Sequence, residues 1–415
     1  MHILYLHQYF ITRETQGGTR SYEFARYFVR KGHRVTMLTS GRWNPQFPVN
    51  GERFRTYRHE GIEIKAIDAG YANARKGTAL SGYQRMMQFL QFASLAKKVG
   101  KTLERPDVVY ATHTPLTIGL PGEYLSRYFK VPFIFEVRDL WPEALVNIGV
   151  LTNPLAIFYF KYLSKRFYHR AAHVIALSPG MKQVILNYGV KGDKVSVIPN
   201  SSDLDLFRPD ITPAYNDVVR KINGRFSAIY FGAMGKANGL DYVLQAAVKL
   251  KKEGELSVVF ILHGDGSEKD RLKAEAQKQG LDNIIFSDPV PKKEDLAKLI
   301  KACDACMTIY QSDKEQTWSP NKMFDSLAAG KPVLINVGGW LGETIEKNKC
   351  GFQTSPDSPA ELAEVMKKLE KDRKLVKEMG KNSRRLAEEK FDRNKLALEL
   401  EKIFIKQIKK YTNGN

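Results

Sequence analysis

From the first residue, short apolar runs alternate with longer stretches whose apolar positions recur every three or four residues. HILYLH is followed by RSYEFARYFVRKG and then HRVTMLTS, which predicts a strand, a glycine-bearing loop, a helix and a second strand. That unit builds parallel sheets with helical crossovers. Further strands are predicted at DVVYATH, VPFIFEV, HVIALS and KVSVIPN, with helices over Gly82 to Leu103, Pro154 to Arg170 and Pro179 to Tyr188. Residues 1–200 therefore read as one doubly wound α/β domain. The rhythm lapses over 201–225, where two prolines and scattered charges predict a linker. It resumes at SAIYFGAM and runs through SVVFILHGDG, NIIFSD and ACMTIYQ to PVLINV, predicting a second doubly wound domain over 226–385. The charged, helical tail 386–415 is expected to pack back toward the first domain. No internal repeat or low-complexity segment interrupts this plan.

Composition agrees with two packed cores, since 415 residues exceed one ordinary domain and 43% are hydrophobic. Charge changes the picture more. Of the net +20, residues 1–200 carry 28 Lys/Arg against 13 Asp/Glu, leaving 37 against 32 for the rest, so the excess sits in the first half. Such a field attracts nucleic acid, anionic lipid or phosphorylated ligands without choosing among them. Helix-turn-helix, RNP and zinc signatures are missing, which weakens a nucleic-acid reading. Cys303 and Cys306 spell C-x-x-C inside an apolar stretch, so they and Cys350 read as inert buried thiols of a reducing compartment. The N-terminus reads as a first strand instead of a signal peptide, and no apolar run reaches the roughly 20 residues of a membrane span. A cytoplasmic protein, or one lying on a membrane, is expected. From Tyr83 to Arg105, Tyr83, Met86, Met87 and Leu90 lie at helical spacing ahead of Lys97, Lys98, Lys101 and Arg105; the segment from Ile157 to Arg170 mixes aromatics with basic residues. Each is either a core helix with a solvated edge or a surface that docks on an anionic membrane.

Candidate chemistry collects in loops that follow predicted strands, where open parallel sheets bind ligands. Gly17 and Gly18 directly precede a helix start, which suits a phosphate or a plain turn. His113 follows DVVYA and can donate to a hydroxyl, carry a proton or cap the strand. Glu136, Arg138 and Asp139 end another strand, as a structural Arg–carboxylate network or as substrate contacts. In the second half, Gly232 and Lys236 of FGAMGKANG and Gly264 and Gly266 of HGDGS mark close backbone approach to a nucleotide, or tight turns. Ser319, Pro320 and Asn321 start a helix. Lys322 then stands at its positive end and Asp325 one turn deeper, fit to hold a diphosphate and a ribose diol or to form a helix-start charge pair.

Together TQGGTR, VRDLWPE, IPN at Ile198 to Asn200, YFGAMGKANGLD, HGDGSEKDRL and SPNKMFDSLAAGKPVL resemble the retaining glycosyltransferases of family 4, over nearly the whole chain. The sequence looks most like their bacterial surface-polysaccharide branch, typified by L-fucosamine transferases. The resemblance implies the GT-B arrangement of two facing Rossmann-like α/β domains and a hexosyltransferase type of activity. It implies a nucleotide diphosphate-sugar donor, UDP-linked in expectation, held mainly by the second domain. A glycan or polyprenyl-diphosphate-linked acceptor would be held mainly by the first, at the inner face of the cell membrane, with no cofactor or metal. On this reading Lys322, Lys236 and the amides around Gly17 and Gly18 stabilise the diphosphate, and Asp325 holds the ribose. His113 holds the transferred sugar's hydroxyls, and Glu136, Asp139, Ser319, Pro320 and Asn321 line the cleft. The chain departs from the family at Thr317, where its E-x(7)-E motif has the first Glu, at Asp325, where it has the second, and at Asn238, where many members carry Lys. A UDP-sugar 2-epimerase of the same fold, or a basic nucleic-acid-binding protein, are the rival expectations.

Overall fold

A computed structural model describes residues 1–415 except Gln16, Trp43, Pro45, 70–81, Ile148, Val150, Tyr215, 313–316 and 414–415. The chain forms two compact units. The first takes Met1–Thr12, Gly17–Pro199 and Asn394–Asn415, and the second takes Arg13–Gln16 and Asn200–Arg393.

In the first unit the chain runs β1 (His2–Leu6), α1 (Arg20–Arg30), β2 (Arg34–Ser40), β3 (Phe54–His59), β4 (Ile62–Ile67), α2 (Gly82–Gly100), β5 (Val108–Thr112), α3 (Gly119–Phe129), β6 (Phe133–Val137), α4 (Glu143–Asn147), α5 (Pro154–Arg170), β7 (His173–Ala176), α6 (Pro179–Asn187) and β8 (Val195–Val197). The sheet order is β3-β4-β2-β1-β5-β6-β7-β8. Every neighbouring pair is parallel except the β3–β4 hairpin. That hairpin has no apolar alternation in β3. Its signal is the turn, where Glu60 and Gly61 both take positive φ, as a two-residue connection that follows the sheet's twist requires.

The second unit runs α7 (Asp217–Ile222), β9 (Phe226–Ala233), α8 (Asp241–Lys252), β10 (Val258–Asp265), α9 (Lys269–Lys278), β11 (Ile284–Ser287), α10 (Lys293–Ala302), β12 (Ala305–Thr308), α11 (Asn321–Ala328), β13 (Val333–Ile335), α12 (Gly339–Lys347), β14 (Gly351–Gln353), α13 (Pro359–Lys371) and α14 (Arg373–Lys390). Its sheet is wholly parallel, ordered β11-β10-β9-β12-β13-β14. Chain direction across the sheet reverses between β9 and β12. The stretch 201–225 belongs to this unit, because Phe207 and Ile222 bury their side chains in its core.

The tail splits at Phe391. α14 ends there against Phe324, with ring centroids 4.8 Å apart, and α15 (Arg393–Asn413) follows. Residues Leu396, Ala397, Leu400 and Phe404 of α15 close the core face that Ile3, Tyr5 and α1 build in the first unit. The opposite sheet face is covered by α2, α3, α5 and α6. Helix α2 divides along its length. Phe92 and Val99 enter the core beside Phe89 and Ala96, whereas Tyr83 and Met87 at its start stay exposed. Cys303, Cys306 and Cys350 are buried free thiols, and no described helix is long and apolar enough to cross a membrane.

An enclosed ion pair ties the first unit together at the carboxyl edge of its sheet. Arg20, at the start of α1, sends Nε and Nη2 to one oxygen of Glu136, at 3.0 and 2.9 Å, and Nη2 also donates to the Ile198 carbonyl at 2.9 Å. Tyr110 donates to the same carboxylate at 2.6 Å and Thr112 to its other oxygen. Arg20 and Glu136 are 1% and 0% exposed. Burial alone would raise the Glu136 carboxyl, but the guanidinium outweighs it and holds the group below its ordinary value. Removing one partner leaves a buried charge without compensation. Arg20→Met should therefore lose about 3–5 kcal/mol in urea unfolding, most of it recovered in Arg20→Met/Glu136→Leu. A loss under about 1 kcal/mol would show the pair does not hold this edge.

Candidate functional site

Both sheets present their carboxyl ends as a row of loops, and each unit carries its own cluster there. In the second unit the cluster forms beside the β9–β12 reversal, the position where open α/β sheets bind ligands. Lys322 stands in the first turn of α11, whose N-terminus has Pro320 as its cap residue and no side-chain cap. Its ammonium donates to Tyr230 Oη at 2.7 Å, lies 3.9 Å from the Tyr230 ring centroid and 6.0 Å from that of Tyr310. Tyr310 in turn stacks on Trp318 at 4.0 Å, nearly coplanar. No carboxylate forms a salt bridge with Lys322 among the described residues, and burial lowers its pKa to about 7. A cation held by rings and one hydroxyl, at an uncapped helix start, is short of an anion.

The glycines divide by role. A Cβ on Gly264, where φ is +150°, would collide with the Gly232 carbonyl, so this glycine serves the close pass of β9 against β10. Gly232, at φ +128°, would instead point a Cβ at Lys322, 3.8 Å from its Nζ, and its absence leaves the ammonium approachable. Gly266 resembles Gly264, facing the Met234 carbonyl.

Other sequence-predicted residues have structural partners. Ser319 is taken up by Asn200, whose N–H donates to Ser319 Oγ at 2.9 Å and whose side-chain amide donates to Ser319 O at 2.6 Å. Asn238 accepts from the Gly235 N–H at 3.2 Å and closes its own turn. Asp325 is 5% exposed, and burial raises its pKa against the pull of Lys293 and Arg393. It sits one turn behind the helix mouth in a charged group that includes Asp203, itself paired with Arg393 at 2.6 Å. Lys236 is exposed and lines a cavity of ≈ 430 Å³ with Gly239, Asp241, Tyr242, Glu268 and Tyr310. Lys322 is not among that cavity's lining residues; Tyr310 lines it and also lies 6.0 Å from the Lys322 ammonium. Pro320 is buried and Asn321 half-buried.

In the first unit, Glu136 is corrected from a cleft residue to the enclosed partner of Arg20, and Arg138 is not the arginine of that pair. Arg138 approaches His7 Nε2 at 3.4 Å instead. His113 is 1% exposed, its ring edge-on to Trp141 at 5.5 Å, with Nε2 unpartnered among the described residues. Burial brings its pKa down to about 4, so the imidazole is neutral near pH 7. Such a ring is a poor proton acceptor and a good hydrogen-bonding partner for hydroxyls. Asp139 is exposed and accepts from Thr114 Oγ1 at 2.6 Å. Gly17, at φ +136°, and Gly18 precede α1, which has no side-chain cap. His7 and Gln8, overlooked in the sequence, follow β1 on the same edge and bury polar atoms that have no partner among the described residues. Their signal was position alone, directly after a strand. The aromatic surround of Lys322 had no sequence signal, because Tyr230 is 92 residues away.

Comparison with known proteins agrees with this layout. Residues 17–206 match the Glycosyltransferase Family 4 model and residues 213–386 the model for glycosyl transferases group 1. The chain is 23% identical over 343 residues to the putative colanic acid biosynthesis glycosyl transferase WcaI of Escherichia coli, covering 78% of this chain and 81% of that protein. It is 23% identical to the probable glycosyltransferase WbjE of Pseudomonas aeruginosa, over 68% of this chain and 70% of the other. Among solved structures, sucrose-phosphate synthase from Thermosynechococcus elongatus superposes with a TM-score of 0.76 at 17% identity, over 98% of both chains. Anabaena HepE in complex with UDP gives 0.69 at 18% identity, over 98% of this chain and 100% of that one.

An ammonium without a carboxylate partner among the described residues should respond to pH. Lys322 is depressed from 10.5 to about 7, so above that pH a bound dianion must draw a proton onto it. The affinity for inorganic pyrophosphate should therefore fall with rising pH beyond about 7, by up to about tenfold per unit relative to Lys322→Arg, which keeps its charge. Folding stability moves the opposite way, rising between about 7 and 10.5, where the unfolded chain holds the extra proton. Calorimetric titration of both proteins checks the first point, and parallel profiles would refute it.

Proposed function

Since the chain is a glycosyltransferase of the two-domain GT-B fold, carrying family 4 and group 1 domains, we propose that it transfers a sugar, with retention, from a UDP-sugar to a glycan or polyprenyl-diphosphate-linked acceptor of cell-surface polysaccharide synthesis. One observation carries the donor side. Among the described residues Lys322 is a cation that no carboxylate pairs, beside Gly232 and at the start of α11, where a departing diphosphate would be neutralised. The choice of UDP is supported by HepE, whose structure was solved in complex with UDP, and the acceptor class by WcaI, named for colanic acid biosynthesis.

In the proposed reaction the bond from C1 of the donor sugar to the diphosphate breaks as the acceptor oxygen bonds to C1 from the same face. The acceptor's proton leaves with the diphosphate oxygen. Lys322 and the uncapped amides of α11 stabilise the charge that develops there, so no protein nucleophile is required. Lys236 and the amides around Gly17 and Gly18 are secondary phosphate contacts in this reading. His113, neutral and with Nε2 unpartnered, is assigned to sugar hydroxyls. Asp325, 5% exposed, is assigned to the ribose. The reaction needs no metal or cofactor, and the protein works at the inner face of the cell membrane, where a lipid-linked acceptor is met.

UDP should raise the melting temperature by mass action, more than GDP or ADP does. Lys322→Ala should stay folded, by circular dichroism and cooperative melting, while turnover of the UDP-sugar drops by about 10²–10³. Product analysis by NMR should give the donor's anomeric configuration and no product without acceptor. Wild-type turnover in Lys322→Ala would remove the assignment, and sugar inversion at C2 without acceptor would make the protein an epimerase.

A further inference from the structure

Helix α5 buries Phe160, Leu163, Ser164, Phe167 and Tyr168 against the first sheet, which accounts for its inner face. Its outer face should then be polar. It is not. Leu155, Phe158, Tyr159 and Tyr162 recur at i, i+3, i+4 and i+7 on the other side and are 81%, 72%, 49% and 52% exposed. The first two turns are thus apolar all round, with Asn153 capping them through its side chain. Contiguous exposed apolar surface of this kind is costly in water and marks a contact site.

Charge selects the occupant. α5 contains four Lys/Arg and no Asp or Glu, and its exposed Lys161 and Lys165 border the stripe. Beside it packs α3, whose exposed Tyr124 and Tyr128 carry the ammonium groups of Lys97 and Lys101 on their rings at 5.6 and 5.7 Å. A second copy of the chain would bring like charges together across any two-fold contact through this surface. An anionic bilayer offers both an apolar interior and negative headgroups, with aromatic rings at home on their boundary.

We propose that the outer face of α5 inserts into the headgroup–acyl boundary of an anionic membrane, with the lysines of α2 and α5 resting on the phosphates. The purpose of that contact rests on the lipid-linked acceptor proposed above. The contact itself is tested without turnover. Insertion adds an apolar component to electrostatic docking, so binding survives salt in part.

The full-length protein is sedimented with vesicles of phosphatidylcholine alone and of phosphatidylcholine mixed with phosphatidylglycerol. Wild type should bind the mixed vesicles, and Leu155→Ser/Phe158→Ser/Tyr159→Ser should lose about tenfold or more in affinity at low and high salt, with an unchanged melting temperature. Lys97→Gln/Lys98→Gln/Lys101→Gln should lose only the salt-sensitive part. Phe158→Trp reports position directly, as its added fluorescence over wild type should be quenched by brominated lipids. The inference is overturned if the triple serine variant binds as wild type does or the added indole is unquenched. It is equally overturned if wild type ignores anionic vesicles, or forms a dimer that the serine changes dissolve. Any of these outcomes alongside normal transfer to a soluble acceptor removes the membrane contact and leaves the enzymatic reading standing, whereas vesicle binding without sugar transfer does the reverse.

Discussion

Parallel strands cannot be joined by a short turn, so each connection must travel back the full length of the sheet before the next strand begins. That constraint arranges everything else in this chain. It gathers the carboxyl ends of β1, β5, β6 and β7 at one edge of the first sheet and those of β9, β10, β12 and β13 at one edge of the second. Residues far apart in sequence thereby become neighbours without any local signal. Helix N-termini arrive at the same edges, bringing unpaired amides and Arg20 to one, Lys322 to the other.

The two cations show how differently one such edge can treat a buried charge. Arg20 receives a carboxylate, two backbone carbonyls and the polar tips around them, and its charge is fixed at any physiological pH. Lys322 receives two aromatic faces and a phenol, groups that attract a cation without neutralising it. The first arrangement consumes the binding capacity of the ion. The second leaves it available, and it does so with a residue whose pKa responds to burial where arginine's does not.

The two doubly wound units were legible because the apolar periodicity changes between strand and helix, and because glycine-rich loops fall at the changes. The candidate loops were legible as loops for the same reason, as each follows an apolar run. What failed was partner choice. Glu136 sits two residues from Arg138 in the sequence, yet its ion pair is with Arg20, 116 residues away, because alternation sends Glu136 and Arg138 to a place in the sheet that only tertiary structure defines. The β3–β4 hairpin was missed because its first strand, FRTYRH, is largely polar. The stretch 201–225 looked like a linker because Phe207 and Ile222 bury individually, without a period to announce them. On α2 the apolar spacing left core packing and an exposed surface both open, and the structure divides the helix, burying Phe89, Phe92, Ala96 and Val99 and leaving Tyr83, Met87 and Leu90 exposed.

Leu396, Ala397, Leu400 and Phe404 of α15 are core residues of the unit that begins at Met1. In the order in which a ribosome makes the chain, the face formed by Ile3, Tyr5 and Phe28 is complete early and then waits for its cover while the whole of the second unit is made. At about 5–20 residues per second that wait lasts roughly 10–40 s, far longer than a single domain needs to collapse. The domain begun first is thus the last to close, and through that interval an aromatic-rich apolar face is open to other nascent chains. Here a chaperone holding the N-terminal half would act on a finished sheet that lacks only its final helix.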